Sequence, residues 1–160
     1  MFISAALTKL NAKGAVESKL NYKFMRIIGI GTDIVNKNRI AEMLKRHSLA
    51  TFTNKFLSSE EYESMMKYNR NIVDFCAKRF AAKEAICKAL GCGIGFGQIL
   101  KHITVTNNKI GKPIVVINAH GKSIIDKFIP TINWDTCRIH ISISDEQSQA
   151  VAFAVAEDNN

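Results

Sequence analysis

The sequence predicts a single α+β domain in which early helices pack on a largely antiparallel β-sheet. Helix-like patterns cluster in the first half of the chain and strand-like patterns in the second, an order typical of α+β folds. The clearest strand is the alternating segment CRIHISIS, residues 137–144, with apolar side chains on one face and polar ones on the other. A length of 160 residues fits one such domain.

The domain is expected to span residues 25–160. Residues 1–24 carry four lysines, one glutamate and no arginine, and their apolar patch is too short for a secretory signal. We expect these residues to form an N-terminal extension that is mobile, tag-like or targeting. A cytoplasmic location is favoured because the extension is a poor transit peptide, and import into an organelle is the alternative.

The first elements are a strand and a basic helix. Residues 26–35, RIIGIGTDIV, are apolar and β-branched, which predicts a buried strand that ends near Asp33. Residues 36–47, NKNRIAEMLKRH, place their apolar side chains on one stripe and their cations outside, as an amphipathic helix does.

Two further helices have well-marked ends. Ser58 and Glu61 form the Ser-x-x-Glu pattern of a capping box, which predicts a short helix. A third helix is predicted from about Val73 to Leu90, because Gly91 is well suited to terminating it.

The second half of the chain is mostly strand. Strands are predicted at residues 98–107, 114–118, 137–144 and 149–157, with a turn-rich connection between the first two. Residues 120–128 predict a short helix.

Composition excludes several classes of protein. No apolar run reaches about 18 residues, so no membrane-spanning helix is predicted. The cysteines include no Cys-x-x-Cys pair, which argues against a zinc site or disulfide framework and favours a reducing compartment. The net charge of +8 is explained by an acidic partner, by the basic extension or by solubility. The cysteines are Cys76, Cys87, Cys92 and Cys137.

Two carboxylates are the candidate chemical centre. Asp33 ends the first strand, and Glu84 lies in a cation-rich helix beside a glycine-rich segment. Two such carboxylates, if they converge, suit Mg²⁺, which binds one or two carboxylates and takes further ligands from water and substrate phosphates. The neighbouring Arg79, Lys83 and Lys88 would then hold phosphate oxygens.

The same residues have simpler interpretations. Glu84 and Lys88 are four apart, a pairing that stabilises a helix by about 0.2–0.5 kcal/mol without any further role. Residues 91–97, GCGIGFG, either allow close backbone approach to a ligand or only turn the chain. GIGTD lacks the glycine that a dinucleotide fingerprint needs at Ile34, and no P-loop motif occurs. The sequence spacing alone does not show that Asp33 and Glu84 meet in the fold, because 51 positions separate them.

An ordered set of motifs carries a family resemblance. The set is GIGTDIV followed by Arg39 and Ile40, then RFAAKEAICKALGCGIG, GKP and HISIS. In this order the motifs resemble those of the holo-acyl-carrier-protein synthase family of 4′-phosphopantetheinyl transferases, over residues 25 to about 157. The combination of Gly-x-Asp with Phe-x-x-Lys-Glu-x-x-x-Lys is specific, whereas either half alone is not.

The resemblance implies a reaction and roles for three residues. Family members transfer 4′-phosphopantetheine from coenzyme A to a serine of apo acyl carrier protein, release adenosine 3′,5′-bisphosphate and support fatty acid biosynthesis. Asp33 and Glu84 match the family's Mg²⁺ ligands, and Lys88 matches a lysine thought to meet the phosphates. Glu84, directly or through metal-bound water, is the candidate base for the carrier serine.

The resemblance also implies a binding surface and an assembly. The family forms homotrimers with coenzyme A in clefts between subunits. The expected coenzyme A contacts are Arg79, Lys83, Lys88, Gly91, Gly93 and Gly95.

Acyl carrier proteins are acidic, and the first helix offers a matching face. Arg39, Met43 and Arg46 fall at i, i+4 and i+7, which places cations around an apolar centre. A solvated basic face is the plainer interpretation. Docking is favoured because Arg39 aligns with a carrier-contacting arginine of the family.

One residue departs from the family pattern. Asp145 follows the SIS strand, where many relatives carry a histidine near the coenzyme A phosphates. An acid there would repel a phosphate, so Asp145 is left out of the expected contacts.

Two other functions fit a small basic chain. A nucleic-acid-binding module is one, although RNA-recognition, KH and zinc-finger signatures are absent and the charge is dispersed. A metal-dependent phosphohydrolase that uses the same two carboxylates is the other. Neither accounts for the ordered motif set.

Overall fold

The fold is one long helix packed against an antiparallel sheet, with shorter elements around both. The computed structural model describes residues 9–10, 16–17, 25–68, 71–92 and 98–159. In chain order the elements are β1 (Lys9–Leu10), β2 (Val16–Glu17), β3 (Met25–Asn36), α1 (Lys37–Arg46), α2 (Leu49–Thr53), α3 (Ser59–Lys67), α4 (Ile72–Leu90), a 3₁₀ turn (Leu100–His102), β4 (Ile103–Asn107), β5 (Pro113–Ile117), α5 (Ala119–Asp126), β6 (Cys137–Asp145) and β7 (Gln149–Asn159).

All strand pairs are antiparallel. The main sheet has the order β3-β7-β6, while β4 pairs with β5 and β1 pairs with β2. Helix α4 packs against β3 and β7. This arrangement of helices on an antiparallel sheet confirms the predicted α+β class.

Local sequence signals set the helix ends as predicted. The Ser58 side chain accepts a hydrogen bond from the Glu61 amide, and the Ser58 amide donates to the Glu61 carboxylate, which is the complete capping box. Helix α4 ends at Gly91, whose φ of 77° is the left-handed conformation that glycine adopts without strain.

Some boundaries differ from the prediction. Strand β3 continues past Asp33 to Asn36, because its pairing with β7 runs on to the Asn36–Gln149 pair. The segment predicted as a strand over residues 98–107 begins with the 3₁₀ turn, and the strand starts only at Ile103. Helix α2 was not predicted; its N-cap is Ser48.

Helix α4 is the centre of the core. Buried residues occur on all its sides, and the sheet residues that face it are small. The alanines of β7 that alternate toward the helix are almost fully buried, which leaves room for close packing. These alanines are Ala150, Ala152, Ala154 and Ala156.

The opposite face of the main sheet is apolar and exposed. On β3, Ile30 and Ile34 are exposed, and on β7 Phe153 retains 46% of its accessible surface. Register places Ile30 beside Val155 and Ile34 beside Val151, so these side chains form one continuous patch. Among the described residues, no helix has the length and apolar character needed to cross a membrane.

Candidate active site between strand β3 and helix α4

Two glycines bring the backbone of β3 into contact with α4. A Cβ built on Gly31 would lie 2.1 Å from the carbonyl oxygen of Ala85, and one on Gly29 would lie 2.4 Å from that of Ala89. Any side chain at these positions would therefore force the strand and the helix apart. Asp33 follows Gly31 by two residues, so it faces the same side of the strand, toward the helix.

Asp33 meets Lys88 at this contact. The Nζ of Lys88 donates to Oδ1 of Asp33 at 2.9 Å and to the backbone oxygen of Thr32 at 2.8 Å. The Asp33 side chain is only 18% exposed, whereas that of Lys88 is 42% exposed. The pair therefore lies at the protein surface, with the lysine toward solvent.

Glu84 completes the group, one helical turn before Lys88. Only 6% of Glu84 is exposed. Burial raises the pKa of Glu84, the nearby negative charge of Asp33 raises it further, and Lys88 opposes the rise. Glu84 therefore loses its proton at a higher pH than a free glutamate, and a bound cation would relieve its repulsion by Asp33.

The two carboxylates fit Mg²⁺ better than a softer metal. The described residues contain no group of three or more His, Cys, Asp or Glu side chains that could enclose a metal ion. A pair of carboxylates leaves most of the coordination shell to water and phosphate oxygens, which is the usual arrangement for Mg²⁺. Asp33 and Glu84 are the residues that would hold the ion.

A groove of about 440 Å³ opens beside Lys88. Its walls come from the start of β3, the end of α4 and the segment after α5. Gly91 lies in this groove, while Gly93 and Gly95 fall outside the described residues. The lining residues are Arg26, Ile27, Ile28, Gly29, Lys88, Ala89, Leu90, Gly91, Ile129 and Thr131.

Lys83 does not reach this site, contrary to the prediction that it holds phosphate. It is fully buried, and its Nζ donates to Glu61 and to the backbone oxygens of Phe56 and Leu100. Loss of hydration lowers the pKa of Lys83 to about 8, although the attraction of Glu61 opposes the change. Its three donors are therefore used inside the protein.

Arg79 also has partners inside the protein. Its Nε lies 3.6 Å from Oε1 of Glu61, and its Nη2 donates to the side chain of Asn107. Only 8% of Arg79 is exposed. The structure thus places Arg79 beside Glu61, and its assignment to the coenzyme A contacts stays a prediction.

The basic face of α1 is present in the structure. Arg39 and Arg46 are exposed, whereas Met43 is half-buried and packs against the core. Lys45, on the same helix, pairs with Glu42 at 2.8 Å. The two arginines therefore stand beside a partly covered methionine, as an apolar centre flanked by cations.

Asp145 is neutralised by two lysines. Lys37 lies 2.9 Å from Asp145 and 2.9 Å from Asp74, and Lys78 lies 3.3 Å from Asp145. The hydrogen bond from Lys37, followed by that from Lys78, lowers the pKa of Asp145. The repulsion expected of a lone acid at this position is thereby offset.

The part of the chain that carries this site matches a known protein family. Residues 29–154 match the model of the 4′-phosphopantetheinyl transferase superfamily, a range that contains Asp33, Glu84 and Lys88. The chain belongs to that superfamily. The resemblance predicted from the ordered motifs is thus confirmed, and this transferase is an enzyme of the holo-[acyl-carrier-protein] synthase type.

Individual relatives agree across nearly their whole length. A holo-[acyl-carrier-protein] synthase of Zymomonas mobilis is 37% identical over 131 residues, which cover 82% of this transferase and 96% of the relative. The crystal structure of the synthase from Neisseria meningitidis has a TM-score of 0.70 at 34% identity, covering 83% of this chain and all of the other. The Bacillus anthracis synthase, solved in complex with CoA (3′,5′-ADP), has a TM-score of 0.64 at 34% identity, covering 84% and 99%.

The sequence did not predict that Glu61 forms buried ion pairs with helix α4. Glu61 was assigned only to the capping box, but its carboxylate also accepts from Lys83 and from the Val105 amide. The lysine and the glutamate are 22 positions apart, so no helical spacing links them. The usable signal was the position of Lys83 among alanines and apolar residues, where a charge needs a partner.

Proposed function

We propose that this transferase moves 4′-phosphopantetheine from coenzyme A to a serine of apo acyl carrier protein, with Mg²⁺, and releases adenosine 3′,5′-bisphosphate. The observation that carries the proposal is the group of Asp33, Glu84 and Lys88 beside an open groove, in a chain of this superfamily. The coenzyme A complex of the Bacillus anthracis relative supports coenzyme A as the donor.

Asp33, Glu84 and Lys88 have different proposed roles, which follow from their charges. Mg²⁺ on Asp33 and Glu84 would offset the negative charge of the pyrophosphate during transfer. Lys88, with 42% of its side chain exposed, can turn its ammonium from Asp33 to a phosphate oxygen. This exchange would stabilise the charge that develops on the leaving 3′,5′-bisphosphate.

Glu84 is the proposed base. Its buried carboxylate, beside Asp33, is placed to accept the serine proton. The serine oxygen forms a bond to the β-phosphorus of coenzyme A as the bond to the bridging oxygen breaks, and the serine proton passes to Glu84. The nucleotide leaves with the electron pair of the broken bond.

The acyl carrier protein is proposed to dock on α1. Arg39 and Arg46 are exposed there, and acidic partners are attracted to such a face over distances of about 10 Å at ordinary salt. Fatty acid biosynthesis in the cytoplasm is the setting we propose for this reaction.

A homotrimer is proposed to cover the apolar face of the main sheet. Single exposed apolar residues are ordinary on soluble proteins, but a continuous patch on one sheet favours association with another chain. Phe153→Asp is expected to reduce the mass measured by light scattering to that of one chain. Ile110→Asp, at an 86% exposed position outside the sheet, is the matched control and should leave the mass unchanged.

The reaction is tested by the intact mass of apo acyl carrier protein after incubation with the full chain, coenzyme A and Mg²⁺. A gain of one phosphopantetheine group that a chelator prevents is the expected result. Free phosphopantetheine with an unmodified carrier would support the phosphohydrolase. Thermal stabilisation by oligonucleotides with steep salt dependence, but none by coenzyme A, would support the nucleic-acid module.

A further inference from the structure

Two buried cysteines flank Lys88 at the end of α4. Cys87 and Cys92 are each only 2% exposed, and both are free thiols. Lys88, between them in sequence, makes the contact with Asp33. Neither thiol has a part in the proposed transfer, so their position raises a separate question.

The helix end brings these two residues side by side. The Cys92 amide donates to the Cys87 carbonyl at 2.9 Å, and the Gly91 amide donates to the Lys88 carbonyl at 3.1 Å. With Gly91 in the left-handed conformation, this is a Schellman ending, in which the residue after the glycine packs on the last helical turn. That packing position, usually taken by an apolar pair, holds two thiols here.

The Schellman ending places the two buried cysteine side chains next to each other. Each of these side chains shifts the pKa of the other. The remaining cysteines lie elsewhere: Cys76 precedes Cys87 by 11 residues, about 16 Å along the helix, and Cys137 is on β6. Among the described cysteines, Cys87 and Cys92 are therefore the pair placed to react with each other.

We propose that Cys87 and Cys92 form a reversible disulfide when the protein meets a peroxide, and that this bond slows the transferase. The effect on transfer rests on the proposed function, whereas the bond itself does not. First, one thiolate attacks hydrogen peroxide, forming a sulfenic acid and releasing water. The second thiol then attacks that sulfur, so that the S–S bond forms, the S–O bond breaks and a second water leaves. Two thiols lose two electrons in total, and the peroxide gains them.

The two thiols affect each other's ionisation. The neighbouring Cys92 side chain and burial raise the pKa of Cys87, whereas the Cys87 side chain lowers the pKa of Cys92. Either thiol can be the first to attack the peroxide, and the other then resolves the sulfenic acid. Because both sulfurs are buried, the reaction requires local opening of the last helical turn, which sets its rate.

The disulfide would change the shape of the site. A disulfide holds its sulfurs about 2.05 Å apart, closer than two thiols that share no covalent bond, so the last turn must tighten. The ring closed by the bond contains Lys88 and Gly91, and both residues line the groove. Small displacements of groups that position a substrate can slow a reaction by up to about 100-fold.

Peptide mapping of the oxidised full chain tests the bond directly. Trypsin cleaves after Lys88, so Cys87 and Cys92 fall in separate peptides, residues 84–88 and 89–101. After hydrogen peroxide treatment we expect these peptides to be joined, with a loss of two hydrogens from the intact mass, and to separate on reduction with dithiothreitol. Four free thiols after treatment, or linkage of either cysteine to Cys76 or Cys137, would overturn the proposal.

Activity assays test the consequence. Transfer to the carrier is expected to fall about tenfold or more on oxidation and to recover on reduction. Cys92→Ala should resist peroxide, while the Cys76→Ala, Cys137→Ala double variant should remain sensitive. A joined peptide pair with undiminished transfer would refute the regulatory part. A joined pair in a protein that never transfers phosphopantetheine would instead refute the proposed function and leave the disulfide supported.

Discussion

The ammonium of Lys88 lies 2.9 Å from Oδ1 of Asp33, so the carboxylate proposed to bind metal already carries a paired cation. Metal and lysine therefore compete for the same oxygen, and substrate phosphate is the alternative partner for the lysine. Lys88 is therefore expected to pair with Asp33 in the free protein and with a substrate phosphate when metal and substrate are bound.

Lys88→Met is expected to separate metal binding from catalysis. Removal of the competing cation should tighten Mg²⁺ binding, measured by calorimetry, while turnover falls about 100-fold because a phosphate contact is lost. Lys88→Arg keeps the charge and should retain more turnover than the methionine variant. Weaker Mg²⁺ binding in Lys88→Met would show that the lysine does not compete with the metal.

Asp33→Asn should abolish the response to metal while the protein stays folded. The amide removes one of two negative ligands, and the hydrogen-bonding shape is kept. We expect turnover to fall at least about 1,000-fold, with a melting temperature close to that of the parent. Glu84→Gln is the companion variant. Near-normal, Mg²⁺-dependent turnover in either variant would remove the metal assignment.

Gly31→Ala is expected to damage both stability and activity. The new Cβ would meet a backbone oxygen at 2.1 Å, which no side-chain rotation can relieve, so strand and helix must separate. A loss of about 1–3 kcal/mol in the free energy of unfolding is expected. Gly111→Ala provides a comparison, because its Cβ meets nothing within 4 Å and only its φ of +86° is strained. Its loss should stay near 1 kcal/mol. Equal losses would mean that the close approach carries no special cost.

Asp145→Asn should change how stability depends on pH. The pKa of Asp145 is lowered by its hydrogen bonds from Lys37 and Lys78, so the folded state holds the charged form more strongly than the unfolded state. This stabilisation is present above the ordinary aspartate pKa of 3.8 and is lost as the pH falls through the lowered value in the fold.

Denaturant unfolding measures that contribution. Near neutral pH the variant should be less stable than the parent by about 1 kcal/mol or less, because the group is partly exposed to solvent. In acid the two proteins should converge. A difference that persists or grows in acid would show that the Asp145 charge is not its source.

Arg39→Ala is expected to weaken the use of carrier protein alone. The KM for carrier should rise about tenfold, more at low salt than at high salt, while coenzyme A binding is unchanged. Lys45→Ala removes the same charge from the same helix, where Lys45 already pairs with Glu42, and should have a smaller effect. A defect confined to coenzyme A binding would exclude docking on this face.

Local signals made much of the fold predictable. The Ser58–Glu61 capping box and Gly91 act within a few residues, so the sequence contains everything that sets those helix ends. The meeting of Asp33 with Glu84 depended on family resemblance, because no local rule spans 51 positions. Its physical basis is the absence of side chains at Gly29 and Gly31, whose importance emerges only when the helix lies against them.

The error over Lys83 has a definite cause. Helix α4 is buried on all its sides, so it offers no polar stripe from which the outward direction can be inferred. Lys83 was grouped with Lys88 by proximity in sequence. In the fold it pairs with Glu61, a residue from another helix.

Lys83 and Glu84 are consecutive, yet one ends in the core beside Glu61 and the other at the site beside Asp33. Each residue added to a helix turns everything beyond it by about 100°. A one-residue insertion near Arg79 would therefore turn the two ends of the helix by about 100° relative to each other, so that the core contacts and the proposed site could not both be kept. Because α4 is buried on all its sides, the core and the proposed site together fix its helical phase.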